Sequence, residues 1–419
     1  MHPNGCKTKY QIRKGDTMVS KFKTRTEIGS ITMPRVLGNN QHKRRYIVAL
    51  DGGYSSVKGL SENTYCCFPS YAKLVDGVDV VGCLNPTDLI LTDHKSGEMW
   101  VVGAYAENTM NRSDIQSTTD ENLYTRYRYK SAVYRAIMTT GLGISLFHTE
   151  MDENVTICVQ TGLPSGYIKK DAKDLRAVLA GDYDFTLRIG NQSKDFKFRL
   201  EPDNIGIMEQ PRGTLANIVY DKEGHIIPEK KDILNSNTII MDDGFGTEDI
   251  FTILSGSNIK DNHPRQKTYT DTAMKAVFEA VVVDINEEYD TEFKVFELQK
   301  FLKRGTIPVL DRTQDVIATK EVEFTGMLEE YNRKLCTKSI HRLLDDYDNL
   351  LDYNYLVITG GTGESRIEQV RDMLKGLTHL QILLGNEADP SLSAIYSNVR
   401  GYYMSMLLKV QKASRLAGE

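Results

Sequence analysis

Twice in this chain, about 190 residues apart, a short apolar run stops at an acid followed by glycines. The first run, Tyr46-Ile47-Val48-Ala49-Leu50, enters Asp51-Gly52-Gly53-Tyr54-Ser55-Ser56-Val57-Lys58; the second, Thr238-Ile239-Ile240-Met241, enters Asp242-Asp243-Gly244-Phe245-Gly246-Thr247-Glu248-Asp249. Apolar runs of this length bounded by glycine read as buried strands entering tight turns. Gly53, Gly244 and Gly246 let the backbone fold back and aim N–H groups at an anion. Ser55, Ser56 and Thr247 add hydroxyl donors, and Lys58 brings a positive charge for phosphate oxygens. Asp51 would repel a bare phosphate, so its place in the turn implies a bridging cation, Mg²⁺ held through water. Asp242 repeats that design in the second turn, and Ile250 to Leu254 reads as a returning strand. Taken singly, each turn has the sequence of an ordinary one.

A third glycine turn, Gly360-Gly361-Thr362-Gly363-Glu364, lies between the apolar run Tyr355–Thr359 and a helix expected over Ser365–Lys375. It is flat enough for a base and ribose to lie against it, and the following helix start favours anions. Other elements fit around these turns. Apolar spacing predicts a helix over Asn122–Gly141, ended by Gly141. A strand is expected at Val155–Val159, stopped by Thr161-Gly162-Leu163-Pro164, and a hairpin over Phe185–Leu200. Residues 270–352 are helical and charge-rich. A last strand, Leu380–Leu384, precedes Asp389-Pro390 and a helix over about 391–415. Strands mixed with helices and glycine turns indicate an α/β protein. The patterns G-x-x-x-x-G-K-[ST] and, after a strand, G-x-G-x-x-G are absent, which excludes a P-loop and counts against a dinucleotide fold.

The 419 residues suffice for two to three domains. No run approaches the ~18 apolar residues of a membrane helix. The six cysteines form no C-x-x-C pair and the histidines no H-E-x-x-H, so neither a zinc site nor a disulfide framework is indicated. The polar start is not a signal peptide, and the expected location is cytoplasmic. Residues 1–45 stand apart, with eleven Lys/Arg against Asp16 and Glu27 and few large apolar side chains. They read as a weakly packing basic extension, either a solvated tail or an arm that touches DNA or an acidic neighbour.

The three ordered turns resemble those of the actin, Hsp70 and sugar-kinase superfamily over about residues 46–415. The resemblance implies an actin-like (ribonuclease H-like) two-domain fold with ATP in the interdomain cleft. Domain I would span 46–235, with the helix of 391–419 returning to it, and domain II 236–390. The first two turns would grip the β- and γ-phosphates and the third, through Gly360, Gly361, Thr362 and Glu364, the adenosine. Superfamily members keep an acid or amide near the end of the first domain to orient the attacking water. In Met208-Glu209-Gln210-Pro211 that residue is expected to be Gln210, although Glu209 next door could be the active side chain. Asp51 and Asp242 become the Mg²⁺ residues, with Asp242 needed for turnover.

Within the superfamily the chain resembles the ParM-type bacterial actins, through D-x-G-x-x-x-x-K at Asp51–Lys58, Val101–Ala106, Thr161–Pro164 and Asn398-Val399-Arg400-Gly401. That resemblance implies an ATPase, with GTP as the alternative nucleotide, that polymerises head to tail and disassembles after hydrolysis. It also implies a ParR-type adaptor that links the filament to plasmid or phage DNA. A small-molecule kinase and a nucleotide-binding scaffold are the rival functions on the same fold. On the second-domain helices, Lys275, Glu279, Glu297, Lys300, Lys303 and Arg304 read mainly as solvated charge, and Lys303 is the candidate to touch the ribose or base.

Overall fold

The structure, a computed structural model, describes residues 25–36, 44–76, 84–110, 126–152, 154–221, 223–255, 265–311, 318–387 and 391–416. Asp389-Pro390 and most of the basic extension lie outside the described residues.

Two sheets share one plan. In the first, Arg44–Gly52 forms an antiparallel hairpin with Ser56–Ser61 and pairs in parallel with Val155–Leu163, which pairs with Ile205–Glu209. In the other, Thr238–Asp243 forms a hairpin with Glu248–Ile253 and pairs in parallel with Tyr355–Thr359, which pairs with Gln381–Leu384. A strand flanked on both sides and covered on both faces needs apolar residues at every position. Arg44–Gly52 meets that demand: Tyr46, Val48 and Leu50 enter one core and Ile47 and Ala49 another. Ile239 and Met241 likewise face away from Ile240. Each fully buried Val, Leu, Ile or Met side chain among these is worth about 1.5–3 kcal/mol.

A five-stranded antiparallel sheet, in the order Gln192–Leu200, Gly181–Ile189, Leu89–Asp93, Met99–Val102, Ala72–Val75, extends the first half. It contains the expected hairpin, and Trp100 is buried in it. In the second half a hairpin of Thr306–Asp311 and Ala318–Glu323 packs with the helices Met274–Tyr289, Val295–Phe301 and Thr325–Asp346.

Four expectations are corrected. The helix near 130 runs over Ala132–Leu146 and passes through Gly141, which is there for closeness: a Cβ on it would lie 3.2 Å from the side chains of Leu50 and Val57. The helix after the third turn begins at Gly360 rather than Ser365, and the C-terminal helix spans Ser397–Leu416. The basic extension is not a loosely attached arm at residues 25–36. Glu27–Ser30 pairs antiparallel with Thr64–Pro69, and Met33 and Val36 are buried against the C-terminal helix.

Candidate functional site

The parallel strands aim both hairpin turns at one cleft of about 390 Å³ between the two halves. Asp51, Gly53, Tyr54, Ser55, Ser56 and Lys58 line it from the first hairpin, and Asp242, Gly244, Phe245, Gly246 and Thr247 from the second. Gly360, Gly361 and Thr362 line it from the third turn, and Gln210 from the start of the helix Gln210–Val219. The turns touch one another. Thr362 Oγ1 donates to the Gly244 carbonyl at 2.9 Å. Gly246 lies so close to the Tyr54 ring that a Cβ would come within 2.4 Å of it. Gly360 has φ +82°, a conformation that favours glycine, and a Cβ there would meet the Asp243 carbonyl at 2.3 Å.

Asp51 is buried and shared between two partners. Lys58 Nζ lies 3.8 Å from its Oδ2, and Gln210 Nε2 donates to its Oδ1 at 3.0 Å. Asp242 accepts from Asn398 Nδ2 at 2.6 Å. Burial pushes the Asp242 carboxyl up to about 6, the Asn398 bond opposes that rise, and the charge of Asp51 adds to it. Asp249 is buried too. Its carboxylate accepts from the hydroxyls of Thr247 and Thr268 and from the Ser165 N–H of the first half, the last at 3.1 Å, yet burial still pushes it up to about 7.

Two arginines that carried no signal in the sequence support the hairpins from behind. Arg128, buried in the 3₁₀ turn Arg126–Lys130, donates to the carbonyls of Gly52 and Gly53 and stacks at 4.0 Å over the Tyr54 ring. Arg366, on the helix Gly360–Leu374, pairs with Asp243 at 2.7 Å; the side chains are 1% and 0% exposed. Arg366 also donates to Asn332 Oδ1 and the Thr272 carbonyl. Asn398 could have been found, because it opens the Asn398–Gly401 signature, but its bond to Asp242 depends on the C-terminal helix returning to the cleft.

Three expected site residues do not line the cleft. Glu209 stands at the N-cap position of the helix of Gln210 without a side-chain cap bond and lies 3.9 Å from Arg212. Glu364 accepts from Ser393 Oγ at 3.0 Å. Lys303 is exposed in the turn after Val295–Phe301. Lys275 and Glu279 form the solvated pair expected of them, at 3.1 Å. Cys66 and Cys67 are buried in a strand, and burial pushes both thiols up.

Residues 49–213 match the family model of the actin-like proteins' N-terminal domain. The fold is actin-like. A non-polymerisable quadruple mutant of pCBH ParM is 19% identical, with 88% of this chain and 100% of that one covered at a TM-score of 0.65. The subunit of a 15-stranded ParM filament from Clostridium botulinum is 17% identical over 87% and 99% of the chains, TM-score 0.64. The ADP complex of Ta0583, an archaeal actin homolog, is 15% identical over 87% and 99%, TM-score 0.56. No curated protein matches the chain by sequence. Among the described residues of this actin-like chain, no helix is long and apolar enough to cross a membrane.

Proposed function

We propose that this actin-like chain is an ATP-driven, filament-forming hydrolase of the kind that segregates plasmid or phage DNA. The observation that carries the reading is the Gln210–Asp51 bond of 3.0 Å, formed where the two acid-glycine hairpins face each other. With Nε2 committed to Asp51, the amide oxygen of Gln210 is left to accept a hydrogen bond from a water and hold it in line. An amide is no strong base, but phosphoryl transfer demands positioning more than covalent chemistry. Glu209, turned toward Arg212 and outside the cleft lining, fits that task less well.

Lys58 and the hairpin N–H groups would hold the β- and γ-phosphates, and Gly360, Gly361 and Thr362 the adenosine. Asp51 and Asp242 suit Mg²⁺, which is usually held by one or two carboxylates together with phosphate oxygens and water. Bound there, Mg²⁺ would neutralise charge on the phosphates. Asn398 would fix the Asp242 carboxylate, and Lys58 would share its charge between Asp51 and the phosphate chain.

Filament formation rests on the likeness to ParM, including one relative solved as a filament, and nucleotide binding on the archaeal homolog solved with ADP. A head-to-tail contact that does not close yields a polymer. A γ-phosphate touching both hairpins would bias domain closure, and so the polymer contact. A ParR-type adaptor would join the filament to DNA.

The test mixes purified protein with Mg-ATP, Mg-GTP or Mg-ADP and follows light scattering beside phosphate release. A triphosphate-dependent rise that decays as phosphate appears is the expected result. Phosphate release with flat scattering at high protein concentration would instead indicate a soluble ATPase or kinase. Filaments whose lifetime ignores hydrolysis would indicate a scaffold. Gln210→Ala should bind nucleotide and assemble but hydrolyse about a hundredfold more slowly; wild-type turnover in that variant returns the role to Glu209.

A further inference from the structure

The segment ahead of the first hairpin forms part of the cleft wall. Successive registers set Asp51 opposite Lys58, Lys58 opposite Cys67, and Cys67 opposite Glu27, so one row of side chains crosses four strands and lines the cleft. Arg25, two residues before Glu27, lines the same cleft. The outer strand is firmly seated. Glu27 accepts from the hydroxyls of Tyr65 at 3.1 Å and Tyr396 at 3.2 Å, and Tyr403 donates to the Pro34 carbonyl at 2.6 Å. Tyr396 directly follows Ile395, another lining residue, and lies two residues before Asn398, which holds Asp242.

Charge decides what this wall is for. The lining carries three carboxylates, Asp51, Asp242 and Glu27, against two cations, Lys58 and Arg25. Lys58 is already shared with Asp51, and Glu27 is turned to its two tyrosines. Arg25 is exposed at the cleft and makes no ion pair among the described residues. A phosphate chain with several negative charges needs more than one shared lysine, and a guanidinium matches phosphate oxygens in a fixed fork.

We infer that residues 25–30 are a strap built onto the edge of the first sheet, and that its Arg25 is a phosphate-binding residue of the cleft. The inference rests on the nucleotide reading above. The strap brings a second cation to the phosphates from outside the three glycine turns. It also ties occupancy of the cleft to the docking of the amino-terminal segment, through Glu27 and Tyr396.

Affinity of the full chain for Mg-ATP and Mg-ADP, measured by calorimetry, tests this. Arg25→Ala should weaken binding about tenfold, the scale of losing one hydrogen bond to a charged group, and Arg25→Lys should recover part of the loss. Gly29→Leu is the independent arm. The Tyr65 ring covers Gly29 so closely that a Cβ would lie 2.4 Å from it, so the larger side chain should undock the strand and leave Arg25 in place. It should reproduce the loss while a circular-dichroism melt shows the chain still folded. Wild-type affinity in Arg25→Ala overturns the assignment of Arg25 and leaves the nucleotide reading standing. A loss in Arg25→Ala that Gly29→Leu does not share overturns the strap as its carrier. A wild type that binds neither nucleotide overturns both readings.

Discussion

The two hairpins share a backbone plan and differ in what stands opposite the leading acid. In the first, Asp51 faces Lys58 across the ladder. In the second, the same positions hold Asp242 and Asp249, with Asp243 facing Glu248 one step on. The supporting arginines differ as well: Arg128 binds the carbonyls of the first turn, whereas Arg366 takes the carboxylate of Asp243. A strand, an acid and glycines therefore fix the geometry of the turn, and the residue opposite the acid fixes its electrostatics. The first hairpin comes with its own counter-charge. The second concentrates buried acid: Arg366 compensates Asp243, while Asp242 and Asp249 have hydrogen-bond donors in place of a paired cation.

That contrast breaks most visibly at Arg366. Removing one partner of a buried ion pair leaves the other charge stranded, at a cost of about 3–5 kcal/mol. Arg366→Ala should lose that much stability in urea unfolding. Arg366→Met with Asp243→Leu, which removes both charges and keeps bulk, should recover most of it. If the single variant unfolds at the wild-type midpoint, Arg366 does not support the second hairpin.

Next in size comes Asp242→Asn, which keeps the shape and removes the charge. On the proposed function it should cut Mg²⁺-dependent phosphate release by about a hundredfold or more, since a catalytic metal supplies several kcal/mol. The matching change in the first hairpin, Lys58→Met, should act chiefly on nucleotide affinity. Equal effects of both variants on affinity and turnover would remove the division of labour between the hairpins. Undiminished release by Asp242→Asn would remove Asp242 from the metal site.

What the sequence disclosed follows the same divide. The turns and their strands were legible because burial on both faces forces continuous apolar runs and a tight reversal needs glycine, both local demands. The superfamily resemblance pointed to Gln210 or Glu209, and of the two only Gln210 lines the cleft. Arg128 and Arg366 were not legible, because each is polar in sequence and acquires its role only when a distant strand folds over it; Arg128 binds carbonyls some 75 residues away. The strand at Glu27–Ser30 was hidden by its basic surroundings. Edge strands pair through backbone groups, and two buried side chains, Met33 and Val36, hold the following segment. Lys303 was misleading in the opposite way: a charged residue near a helix end has no local mark that separates a cleft-facing from a solvated side chain.

The smallest expected effect is a slope. In the metal-free, nucleotide-free protein, burial raises Asp249 from about 3.9 in an unfolded chain to about 7. Between those values the folded state binds more protons than the unfolded one, so this group makes stability fall as pH rises from about 4 to 7 and adds no slope above that range. Asp249→Asn is neutral at every pH and retains an acceptor for the Ser165 N–H that joins the halves. Its unfolding free energy in chelator should therefore fall less steeply than wild type across that window. The two proteins should differ least near pH 4, where wild-type Asp249 is protonated in the folded state, and most near pH 7, with the variant the more stable. Parallel profiles would mean that the second hairpin tolerates its buried charge without help, and would leave it no more dependent on an incoming cation than the hairpin that carries Lys58.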